Sequence, residues 1–64
     1  MTMTDQIESI VDKHGIESVL MALSTMCGEK GNHVATNWQD KRLAHRWYTL
    51  EGAIGVIVPK ANGI

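Results

Sequence analysis

The chain has 64 residues, a net charge of −1 and one cysteine. That is one small domain with a thin margin of stability. It excludes an internal disulfide and a global field that draws the protein to nucleic acid or a membrane.

Hydrophobic residues make up 44% of the chain and charged residues 20%, the balance of a folded domain rather than a disordered segment. There is no apolar run long enough to span a bilayer. The opening M-T-M-T-D-Q-I-E carries acids where a secretory signal has a basic end and an apolar stretch. With the lone thiol, this predicts a cytoplasmic protein.

The first predicted element is a short helix over 4–14. Thr2 or Thr4 can cap it, and Asp5 and Glu8 suit the positive end of its dipole. Ile7, Ile10, Val11 and His14 share one face, and Gly15 suits a left-handed exit.

A second helix is predicted over 16–36. Ile16, Val19, Leu20, Leu23, Met26 and Cys27 recur every three or four residues, and the same phase reaches Val34 and Trp38. Gly28 and Gly31 interrupt it, each at a cost of about 1 kcal/mol against Ala. The phase survives them, so the helix is read as continuous, with a small residue at 31 admitting a close neighbour.

Trp38, Gln39 and Asp40 turn the chain, with Asp40 as N-cap of a third helix over 41–57. Leu43, Trp47, Leu50, Ile54 and Ile57 follow a heptad-like 4-3-4-3 spacing. Pro59 stops the helix. The expected architecture is all-α: a three-helix domain over 1–58 whose two longer helices form an antiparallel hairpin, and a flexible tail at 59–64. The expected core is Ile7, Ile10, Val11, Val19, Leu20, Leu23, Met26, Cys27, Val34, Leu43, Trp47, Leu50 and Ile54.

The run H-G-I-E-S-V-L, then C-G-E-K-G-N-H-V-A-T-N-W-Q-D, then L-A-H-R-W, covers His14 to Trp47. It resembles a group of short uncharacterised bacterial and phage-associated proteins that share these blocks, with N-W-Q-D the most specific. The resemblance implies a helical fold and no particular reaction. The group tends to carry Ala near position 31, which suits a continuous helix.

Cys27 and His33 are the obvious candidates for a metal or a nucleophile–base pair. On a continuous helix, positions six apart are turned about 120° from each other, so they do not share a ligand. No metal, cofactor or catalytic residue is assigned, and Cys27 is read as a small core residue.

The polar candidates are Glu29, Lys30 and His33, spaced i, i+1 and i+4, with Asn37 and Trp38 beyond them. Arg42, His45 and Arg46, with Lys41, put positive charge at the start of the third helix, where the dipole disfavours it. These eight residues, Glu29, Lys30, His33, Asn37, Trp38, Arg42, His45 and Arg46, form the expected partner-binding set. The function expected is a non-enzymatic protein-interaction module, an accessory or regulatory factor that binds a larger protein partner. Self-association as a homodimer is also expected, through Tyr48, Ala53, Val56 and Val58 beyond the third helix's seam.

Two alternatives remain. The end G-A-I-G-V-I-V-P-K-A-N-G-I looks like the apolar core of borosin peptides, which makes the chain a precursor whose helical leader docks on a separate methyltransferase. The turn feeding a basic helix is compatible with a helix-turn-helix nucleic-acid binder, although the negative net charge and the lack of base-reading side chains weigh against it.

Overall fold

The computed structural model describes residues 1–64 and contains three α-helices, with no strand: α1 (Met3–His14), α2 (Ile16–His33) and α3 (Lys41–Ile57). A π-helical turn, Val34–Trp38, extends α2, and a 3-10 turn, Val58–Ala61, follows α3. The predicted all-α fold is therefore present, and helix two runs unbroken through both glycines.

The ends of α1 are set locally. Thr2 Oγ1 accepts from the Asp5 backbone N–H at 3.1 Å, and Asp5 Oδ2 accepts from the Thr2 N–H at 3.2 Å. This reciprocal capping box satisfies two otherwise free donors and starts the helix one residue before the predicted position. Gly15 ends α1 and begins α2 in one step, with φ +88° and ψ 147°. This is an extended positive-φ conformation essentially reserved for glycine, rather than the left-handed helical exit expected. The joint bends the chain with no intervening loop.

At the other end of α2 the Asn37 amide donates to the His33 carbonyl at 3.1 Å. A side chain competing for a helical carbonyl favours a widened last turn. Gln39 then takes a left-handed conformation, φ 54°, and Asp40 Oδ1 caps α3 by accepting from the Leu43 N–H at 3.0 Å.

Contacts between α2 and α3 run in opposite directions along the two helices. Ser24 Oγ donates to the Glu51 carbonyl at 3.0 Å, Gly28 lies against the Glu51 carboxylate, and Gly31 lies under the Tyr48 ring. The Tyr48 hydroxyl donates to Asn32 Oδ1 at 2.6 Å. This is the antiparallel hairpin the sequence predicts.

The core differs from the predicted one. The buried residues are Cys27, Gly28, Gly31, Val34, Ala44 and Ala61. Of the thirteen expected core residues, Val11, Val19, Leu20, Leu43, Trp47 and Ile54 are half-buried, while Ile7, Ile10, Leu23, Met26 and Leu50 are exposed. The α3 seam is rotated from the heptad reading: Ala44, Tyr48 and Glu51 face α2, while Leu50 and Ile57 lie outside. The cause is close approach. A Cβ at position 31 would sit 2.5 Å from Tyr48 Cε1, so the glycines select the contact face although they add nothing to a hydrophobic count.

α2 lies between the other two helices, and α1 packs on α2 alone. Pro59, without an N–H, is the second residue of the 3-10 turn, where a missing donor costs nothing. The chain expected to leave the domain at residue 59 first closes this turn, with Ala61 buried in a segment that packs on α2 and α3.

Candidate functional site

The hairpin tip carries the predicted polar set. Lys30, His33 and Asn37 follow one another along α2 and its π turn. Asn37 Nδ2 lies 3.0 Å from His33 Nδ1. Because the amide nitrogen is the donor, Nδ1 is the acceptor, and a neutral His33 carries its proton on Nε2.

Trp38 stands next to this pair. Its ring meets the His33 ring edge-on, with centroids 6.2 Å apart and planes at 67°. The indole is 67% exposed, so it lies outside the core although it continues the apolar phase of helix two. Trp47 is the half-buried tryptophan.

The eight predicted residues do not form one site. Glu29, Lys30 and His33 line a shallow depression with Met26. Arg42, His45 and Arg46 line another at the start of α3, with Asp40, Lys41 and Leu43. Helical periodicity places Arg42 and Arg46 near the side of α3 opposite Ala44, the residue buried against α2. The tip therefore offers two polar surfaces, one neutral to basic with an aromatic edge and one strongly basic.

Cys27 is buried in the α2–α3 seam, whereas His33 is exposed and bonded to Asn37. The two face different surroundings, and the helix keeps them apart. No helix is long and apolar enough to cross a membrane.

A second surface escaped the sequence reading. Ile10 of α1 and Val19, Leu23 and Met26 of α2 line an open apolar groove of 520 Å³. Its signal is the apolar stripe of α2, which periodicity alone assigns whole to the core.

The fold is a small helical hairpin, α2 and α3, with α1 as an added amphipathic arm. No protein family, no curated protein and no solved structure matches it.

Proposed function

We propose that the protein is a non-enzymatic interaction module of the cytoplasm that acts by occupying a surface of a larger protein partner. The observation that carries this reading is Trp38, a large aromatic held outside the fold at 67% exposure beside the ordered His33–Asn37 pair. An exposed indole on a hydrogen-bonded turn brings a large contact area with few rotatable bonds to fix, the usual property of an interface hot spot. The second surface, with Arg42, His45 and Arg46 at the start of α3, adds positive charge that suits an acidic region of the partner and steers its approach. The reading keeps the protein with the short bacterial and phage-associated group its N-W-Q-D stretch resembles.

The test is affinity capture from the native host with the wild type, Trp38→Ala and Arg42→Glu/Arg46→Glu. Trp38→Ala should reduce capture of the specific partner by roughly 30-fold, the size of a hot-spot loss. The charge reversal should weaken capture and its salt dependence, with far-ultraviolet circular dichroism unchanged in both. Equal capture by all three proteins would overturn the reading.

A further inference from the structure

We infer that the apolar groove between α1 and α2 is the interface with a second copy of this chain. The first observation is area. The chain exposes 5125 Å², whereas a folded monomer of its 7.1 kDa mass should expose about 4,100 Å². The excess, about 1,000 Å², is close to the roughly 800 Å² that each partner contributes to a standard protein interface. Shape agrees: the radius of gyration is 13.6 Å, against about 10.7 Å for a compact chain of this length.

The excess has a place. α1 has a regular apolar face and complete caps, yet none of its residues is buried. An isolated helix of 12 residues is marginal in water and depends on tertiary cover. Its own chain covers it only from α2, and Ile7, Ile10, Leu23 and Met26 are each at least 40% exposed.

The charge pattern permits a second copy as the occupant. A two-fold contact sets a surface against itself, so a charge near the axis meets its own copy. The groove is lined by Ile10, Val19, Leu23 and Met26, with His14 and Ser18 as its polar lining, and holds no carboxylate, lysine or arginine. Asp5, Glu8 and Asp12 fall on the opposite side of α1 by helical periodicity. The outer face of α3, which also bears apolar residues, fails this criterion. Arg46 borders Leu50 there, and Tyr48, expected to serve that face, is engaged with Gly31 and Asn32. Two copies joined through the groove bring two α1–α2 pairs face to face as a four-helix core, with each α3 outside and each Trp38 free; Met26 alone is shared with the tip depression.

Sedimentation equilibrium tests this with the full chain up to about 100 µM, where a micromolar dimer is saturated. The wild type should be dimeric. Leu23→Lys should weaken the dimer by about 30-fold or more, the loss expected for a central apolar anchor, while Val56→Lys on the outer face of α3 should leave it unchanged. A mixed-label sample should show intermolecular NOEs among the Ile10, Val19 and Leu23 methyls, a readout that holds even where a variant loses helicity. A monomeric wild type, a dimer indifferent to Leu23→Lys, or intermolecular NOEs from Val56 and Ile57 instead would each overturn the inference. The tip is untouched by Leu23→Lys, so capture of the larger partner succeeds or fails separately.

Discussion

The two helix–helix seams of this molecule are built in opposite ways. The α2–α3 seam is lined by Cys27, Gly28, Gly31, Val34 and Ala44, all buried and mostly small. The α1–α2 seam has the larger aliphatic side chains and the more regular amphipathic helix, yet α1 buries no residue. Small residues let two backbones approach until flat or flexible groups such as the Tyr48 ring and the Glu51 carboxylate fill the gap. Large side chains on a helix with one neighbour cover only part of each other. Amphipathicity thus marks where a helix gains by burial, while closeness of packing depends on residues a hydrophobic scale hardly registers.

The strongest way to break this contrast is Gly31→Val. The added methyls meet the Tyr48 ring, and overpacking of this kind costs about 3 kcal/mol, comparable to the whole stability of so small a core. Loss of the cooperative urea transition is expected, with partial recovery on adding Tyr48→Ala. A Gly31→Val protein with wild-type stability would show that the seam is not tightly packed. Gly28→Ala should be milder, because the Glu51 carboxylate it meets is the far end of a flexible side chain.

Gly15→Ala probes the looser seam. At φ +88° a side chain is strained by roughly 2 kcal/mol. Because α1 touches α2 alone, the effect should stay local. Amide exchange should accelerate over residues 3–15 and hold steady in α3. Uniform acceleration would mean that α1 and the hairpin fold as one unit.

The smallest effect belongs to the tip. Gln39→Gly relieves a left-handed backbone at φ 54° and should stabilise the hairpin by about 0.5–1 kcal/mol, read as a raised thermal midpoint. A lowered midpoint would show that the Gln39 side chain contributes more than its conformation costs.

Of the candidate site, the sequence identified the residue types and their order but not their grouping. Lys30, His33 and Asn37 were legible as helical neighbours, because i, i+3 and i+4 spacing is local. The His33–Asn37 bond and the outward Trp38 depend on a π turn that no spacing rule announces. The separation of Arg42 and Arg46 from that ridge follows from the face on which α3 lands.

By itself the sequence determined the three helices, the start of α1, the joint between α1 and α2, and both ends of α3. Thr2 and Asp40 caps, the Gly15 joint and the Pro59 stop act within a few residues, through backbone hydrogen bonds and allowed dihedral angles. Tertiary structure alone decided which side of α2 meets α3, and so which apolar side chains were left outside. Periodicity records side-chain polarity, but contact is set by distance of approach. At Gly28 and Gly31 the absence of a side chain brought α3 close, turned Leu23 and Met26 away from it, and left α1 with a groove that its own chain does not fill.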